Sequence, residues 1–381
     1  MKIVHVCLSC FYIDGYAYQE NELVRAHVRQ GHDVKVLAST ASFDDEGRRN
    51  HTDPGVYMGT DGAEVTRLPY RGLLPQRLME KLRAHPGVRT YLEREAPDVI
   101  VCHGISGWEL LTVARHCRRN PHVILKADTH TDANNSASSA LSRILLHKVF
   151  YRAIIALCRR QITPLLCISV ATMDFAEENY GFRRDQLAFF PLGGDIPEDA
   201  AYQQSRAEMR AELGIAEDEI LLVHSGKFIA PKKTAELIAA FQAAGGAPLR
   251  LVLAGRFVDG YCEDEQRLIA ENPAMEFIGW QDRTEMVRLL AAADVYMQPG
   301  SQSATMQMSL CHGCAIVLDN VSSHTPYHDG NGWLLDQDTR LEDVLQSLAE
   351  DPGQVAGMGA RSLAFARENL DYDALARRLL S

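Results

Sequence analysis

The chain has 381 residues, 46% hydrophobic and 23% charged, with nine cysteines and a net charge of −11. That length exceeds one ordinary core and suits two domains, and the composition excludes a disordered or low-complexity chain. The charge is uneven: residues 1–195 carry 24 Lys and Arg against 22 Asp and Glu, a net of +2, while residues 196–381 carry 15 against 28, a net of −13, so the acidic half speaks against general nucleic-acid binding.

In chain order, short apolar runs alternate with helix-period segments, the pattern of a parallel sheet wound on both faces. "KIVHVCL" is followed by "YQENELVRAHVRQGH" and "DVKVLAS", with Gly31 at the helix stop. Further strands are expected at "EVTRLP", "DVIVCHG", "VILKADTH" and "LLCIS", with helices around 76–95, 107–119, 138–160 and 170–180. The pattern then restarts. "EILLVHSG" leads to a helix near Lys233, "LRLVLAG" to one near 262–272, "MEFIG" to "RTEMVRLLAAA", and "DVYMQPG" to "ATMQMSLCHG", with "AIVLDN" last. Two doubly wound halves joined near 190–215 are the expectation, with ligands beyond the carboxyl ends of the strands.

No apolar run reaches the ~18 residues of a membrane-spanning helix, and "MKIVHVCLSC" lacks a secretory cleavage pattern, so a cytoplasmic chain is expected. The pairs Cys7/Cys10 and Cys311/Cys314 lie far apart and have no histidine at finger spacing, which favours buried structural thiols over zinc. The loop after the first strand holds a single glycine, Gly15, and no GxGxxG follows a strand, which lowers a dinucleotide reading.

Two segments carry chemistry. In "VHSGKFIAPKKTAELIAAF", Gly226 and Lys227 end a strand, and Lys232 and Lys233 stand at the start of the next helix. Free N–H groups and added cations there suit phosphate; a solvated lysine turn is the plain alternative. In "ADVYMQPGSQSATMQMSLCHG", Gly300 and the short side chains of Ser301, Ser303 and Thr305 would let a diphosphate or sugar approach backbone amides, with Ser301 or Ser303 as the helix cap.

The second half resembles the donor domain of the family 4, glycogen-synthase-like glycosyltransferases, whose GT-B fold has two facing Rossmann-like domains and an interdomain cleft. The resemblance rests on "GKFIAPKKTAELIAAF" against the family pattern G-R-L-x-x-x-K-G, on "LVLAG", "MEFIGW", "ADVYMQP" and "GCAIV", and on the tail from "GNGWLLDQDTRLEDVLQSLAEDPGQ" to "FAREN". In the first half "GYAYQENELVRAHVRQGHDVKVLAS" and "FFPLGGD" stand where the family has its glycine loop and P-N-G-V-D. The resemblance implies an acceptor-side domain at 1–195, a donor domain at 196–360 and a final helix at 361–381 packing back towards the first. It places Lys227 and Lys232 on the donor diphosphate, Gly194 and Asp195 at the interdomain turn, Gly15 near the phosphates and His130 close to the donor sugar. A metal triad of Asp128, His130 and Asp132 is geometrically thinkable, but the resemblance implies no bound metal and no cofactor beyond the nucleotide sugar.

One departure stands out. The family's paired glutamates, E-x7-E, are missing, and the region holds Gln302, Ser303, Thr305 and Gln307 instead. Gln307 could bond a ribose, and Ser303 or Thr305 a sugar hydroxyl. The resemblance implies a retaining transferase that moves a sugar from a UDP- or GDP-sugar to a glycan, lipid-linked or small-molecule acceptor, in bacterial surface polysaccharide or glycoconjugate assembly. A non-catalytic GT-B-like binding subunit and a sugar-nucleotide epimerase are the alternatives. In "SRILLHKVFYRAIIALCRR", Lys148, Arg152 and Arg159 share a face on α-helical spacing while apolar residues wrap around it, so a buried helix with basic ends is expected, and a peripheral membrane contact is the alternative.

Overall fold

The computed structural model describes residues 1–43, 48–72, 75–132, 143–244, 246–258, 260–261, 263–301 and 303–381. It divides into two compact units, one of residues 1–191 with 372–381, the other of residues 192–371.

The first unit holds strands β1 (Lys2–Cys7), β2 (Asp33–Ser39), β3 (Ala41–Phe43), β4 (Arg49–His51), β5 (Gly55–Met58), β6 (Glu64–Leu68), β7 (Val99–His103), β8 (Ile124–Thr129), β9 (Leu165–Cys167) and β10 (Leu187–Phe189). Eight of them form one sheet in the order β10-β9-β8-β7-β1-β2-β6-β5, parallel except for β5, while β3 and β4 pair separately. Sheets covered on both faces need strands apolar throughout, as "IVHVC" and "VIVCH" are apart from one histidine each. Val4, Val6, Ile100 and Cys102 pack under helices Val88–Glu95, Leu110–Arg119 and Arg152–Cys158. On the opposite face Ile3, Val99 and Val101 meet Leu23 and Ala26 of helix Gln19–Arg29 and Leu375 and Leu379 of helix Tyr372–Leu380.

The second unit holds β11 (Ile220–Phe228), β12 (Leu249–Phe257), β13 (Met275–Gly279), β14 (Val295–Gln298), β15 (Ala315–Asp319) and β16 (Gly332–Leu335), all parallel in the order β13-β12-β11-β14-β15-β16. The winding reverses between β1 and β7 in one unit and between β11 and β14 in the other. Ligands of doubly wound sheets sit outside the carboxyl ends at such points, which singles out Gly104 and its neighbours in the first unit, and Lys227 and the loop 299–303 in the second.

Three expected helices differ, one of them 170–180, which is α-helix Val170–Phe175 running into π-helix Ala176–Tyr180. The segment 76–95 is two helices, Gln76–Leu82 and Val88–Glu95, because Arg83 (φ 52°) and Gly87 (φ 81°) are left-handed and end the α-helical run. Of 138–160, residues 138–142 lie outside the described residues, and Arg143–Tyr151 is a π-helix continuing into α-helix Arg152–Cys158.

Candidate functional site

In the second unit Ile220, Leu222 and Phe228 of β11 point into the core, so alternation sends Ser225 and Lys227 to the opposite face. Tyr296 of β14 lies on that face, its hydroxyl 2.8 Å from Ser225 Oγ and 3.4 Å from Ser303 Oγ. Ser303 Oγ in turn donates to Gln298 Oε1 at 2.6 Å, and Gln298 Nε2 donates to the Ser301 carbonyl. This network holds the loop between β14 and helix Ala304–Cys311 beside the end of β11.

The same loop is clamped to the lysine turn. Ser301 N donates to Pro231 O at 2.8 Å, and Lys232 Nζ donates to Ser301 O at 2.8 Å. The approach is so close that a Cβ on Gly300 would lie 2.2 Å from Pro231 O and 2.7 Å from Lys232 Cα. Gly300→Ala must therefore push the two loops apart. We expect it to lower the thermal stability of this unit by about 1–3 kcal/mol, and to weaken any ligand held on the loop, as read by differential scanning fluorimetry.

Lys232 is 8% exposed, and burial lowers its pKa to about 8. Lys233 adopts a left-handed φ of 53° where the family pattern has glycine, and its Nζ lies 2.6 Å from Asp319 Oδ2. Lys227 is exposed, and β11 pairs with β12 so that Lys227 stands beside Arg256, also exposed, just as Gly226 stands beside Gly255 and Phe228 beside Phe257. In-register neighbours on parallel strands share a face, so two cations lie side by side. Among the described residues neither has a carboxylate partner. Arg256 was not among the expected site residues, although "SGKF" and "AGRF" repeat the same pattern one strand apart. Lys227→Gln and Arg256→Gln are each expected to weaken a diphosphate ligand about fivefold at low ionic strength, and less in high salt, by isothermal titration calorimetry.

Of the other expected residues of this unit, Thr305 also bonds Tyr296, and the rest are placed differently. Thr305 is partly exposed in the first turn of the helix. Gln307 is 3% exposed and turned inward, its Nε2 donating to the Tyr327 hydroxyl at 2.6 Å. Gly194 N donates to Leu370 O, and a Cβ there would lie 2.6 Å from Cys311 Sγ, so Gly194 serves a tight internal contact. Asp195 pairs with Arg283 at 2.9 Å. Gln302 lies outside the described residues.

In the first unit Gly15 (φ 79°) is exposed, and its N–H donates to Thr60 Oγ1 at 3.0 Å. His130 follows β8, with Nδ1 3.7 Å from Glu20 Oε1 and Nε2 4.0 Å from Asp128 Oδ1. Asp128 opens a buried chain: its Oδ2 is 2.6 Å from His103 Nδ1, His103 Nε2 is 2.9 Å from His5 Nδ1, His5 Nε2 is 2.9 Å from His27 Nδ1, and His27 Nε2 is 3.1 Å from the Ala376 carbonyl. A carbonyl only accepts, so His27 donates from Nε2 and accepts at Nδ1, and the same polarity passes back through His5 to His103. His103 then meets Asp128 with both ring nitrogens protonated. The electrostatics agree. Burial lowers the pKa of His5, and of His27 to about 4. Burial would also lower His103, but the Asp128 charge outweighs it and raises the pKa, while the opposing pull of His103 keeps Asp128 ionised against its own burial. Nothing local in sequence marks this chain, since its members come from β1, β7, β8 and a helix.

Among the described residues, no group of three or more His, Cys, Asp or Glu side chains could hold a metal ion. The eight described cysteines are free thiols, all buried but Cys10.

Residues 14–193 match the glycosyl transferase 4-like domain. Among solved structures, the Anabaena protein Alr3699/HepE in complex with UDP is similar over 100% of this chain and 98% of its own, at 16% identity and a TM-score of 0.63. A glycosyltransferase from Rickettsia africae is similar over 100% and 96%, at 10% identity and a TM-score of 0.63. WaaG, a glycosyltransferase involved in lipopolysaccharide biosynthesis, is similar over 99% and 98%, at 15% identity and a TM-score of 0.55. No curated protein matches the chain. Two parallel, doubly wound units and these likenesses define the GT-B fold. Within that class, this chain is one whose first unit matches the model of the glycosyl transferase 4-like domain.

Proposed function

We propose that the protein is a retaining glycosyltransferase taking a sugar from a nucleoside diphosphate donor, a UDP- or GDP-sugar, to an acceptor hydroxyl. The observation that carries this reading is the convergence of Lys227, Lys232 and the Gly300–Ser303 loop at the switch point of the second unit's sheet, with Arg256 beside them. Fixed cations there would stabilise charge growing on the departing diphosphate. No carboxylate stands in that loop or in the helix after it, so attack from the leaving group's own face, with the departing phosphate as base, is the mechanism that fits. His130 and the acceptor would belong to the first unit. Work in the cytoplasm on bacterial surface glycans is the setting we favour, as WaaG's involvement in lipopolysaccharide biosynthesis suggests.

The test is calorimetric titration with UDP, GDP, ADP and TDP, followed by turnover of the sugar nucleotide of whichever binds. Binding of one nucleotide that Lys232→Ala abolishes supports the reading. Absence of binding for all four would move the chain to a GT-B-shaped binding subunit, and turnover of a nucleotide sugar into its epimer without acceptor would make it an epimerase.

A further inference from the structure

The segment expected to be a buried helix with basic ends is instead half exposed. The backbone turns of Arg143–Tyr151 are π-helical, wider than those of an α-helix, and α-helix Arg152–Cys158 continues them. Residues that wrap around a 3.6-residue helix thereby sort into two strips. His147, Tyr151, Ile154, Ile155 and Cys158 are buried, with His147 Nδ1 2.8 Å from the Tyr180 hydroxyl. The other strip faces water: Ile144, Leu145, Val149 and Leu157 are between 53% and 65% exposed, and Lys148, Arg152 and Arg160 are exposed among them. Arg159, expected on the basic face, turns inward and donates to Tyr180 O at 2.9 Å. Trp108, 40% exposed, stacks on Phe150 of the same segment with ring centroids 6.4 Å apart.

We propose that this strip is a membrane-docking surface, and that its partner is the surface of a bilayer containing anionic lipid. Four large apolar side chains held in water on one side of a short helix cost free energy that burial in an interface recovers. Their basic companions choose the kind of interface. The charges exposed on the strip are Lys148, Arg152 and Arg160, and residues 133–173 contain no Asp or Glu, in a chain of net charge −11, so the strip is locally cationic and complements lipid phosphate. Tryptophan beside the strip suits the headgroup level, where an apolar ring with one N–H donor is favoured. A second copy of the chain is a poorer occupant, because a two-fold contact would set Lys148, Arg152 and Arg160 against themselves. No helix among the described residues is long and apolar enough to cross a membrane, so the contact is one of lying on the surface.

The inference does not depend on the donor reading, and its test uses no nucleotide. The full chain is sedimented with vesicles of phosphatidylcholine, with or without a quarter of phosphatidylglycerol, while tryptophan emission is recorded. We expect binding to the anionic vesicles with a blue shift, weakened by salt. The double variant Val149→Glu/Leu157→Glu should lower partition at least tenfold, and Lys148→Glu with Arg152→Glu about fivefold for each charge. Both pairs are exposed, so circular dichroism should be unchanged. Partition no better than to pure phosphatidylcholine, or apolar variants that bind as wild type does, would overturn the proposal. So would a dimer in light scattering that Val149→Glu dissolves while vesicles are ignored, which would assign the strip to a second copy.

Discussion

Lys232→Ala is expected to reduce turnover of a nucleotide sugar on the order of 10²-fold or more, with the fold intact. Three features set this apart from the loss of an ordinary surface lysine. Lys232 is nearly buried, so its charge is poorly screened; its Nζ is fixed on the Ser301 carbonyl; and its neighbour Gly226, with only Lys232 Cε within 4 Å of where a Cβ would stand, leaves room for a ligand's oxygens to come close. Burial holds its pKa at about 8, below the usual 10.5 of lysine. A diphosphate arriving beside it would favour the charged form and raise that value. Binding above pH 8 should therefore take up protons, seen as a dependence of the calorimetric enthalpy on buffer ionisation heat, and binding at pH 6.5 should not. Lys232→Ala should remove the proton uptake along with most of the rate. A variant with wild-type turnover would remove Lys232 from the site.

The second large effect lies in the first unit. His103→Leu should cost about 3–5 kcal/mol, because it leaves the Asp128 carboxylate buried without its cation. For a unit of this size that is a fall of roughly 10 °C or more in the melting temperature. Tryptophan fluorescence of Trp108 can follow it in a Trp280→Phe/Trp333→Phe background. The pH dependence identifies the cause. The folded pKa of His103, about 10, lies above the unfolded value of 6.5, so its contribution is complete below pH 6.5 and is lost as pH rises towards 10. The lowered pKa of Asp128 adds stability above its unfolded value of 3.8, which is lost as pH falls through the folded one. His27 is neutral in the fold with a pKa of about 4, so stability also drops as pH falls from 6.5 to 4. Wild-type stability from this chain should peak near pH 6.5. In His103→Leu the decline towards pH 10 should disappear, and the destabilisation should shrink in acid, where Asp128 takes up a proton.

The lysine turn and the small-residue loop after β14 were legible because they are local. "GKFIAPKK" puts its cations within a few residues of a strand end and a helix start, and "PGSQSAT" is a strand-turn-helix that short side chains announce. The clamp between those two loops was not legible, since it depends on β11 and β14 becoming neighbours across a crossover of more than sixty residues. Arg256 sits in a readable repeat of "SGKF", yet only the parallel register of β11 and β12 puts it beside Lys227. Gln307, equally prominent in sequence, faces Tyr327 instead, because helix Ala304–Cys311 presents that side to its own unit.

By itself, the sequence determined the two doubly wound units, the order of most strands and helices, and the lysine turn, because hydrophobic period and turn chemistry act over a few residues. Tertiary structure decided the histidine chain from Asp128 to Ala376 and the exposed strip of the π-helix. The first joins positions up to 349 residues apart in sequence. The second needs a backbone turn that departs from 3.6 residues, and a face turned outward depends on what packs against the other.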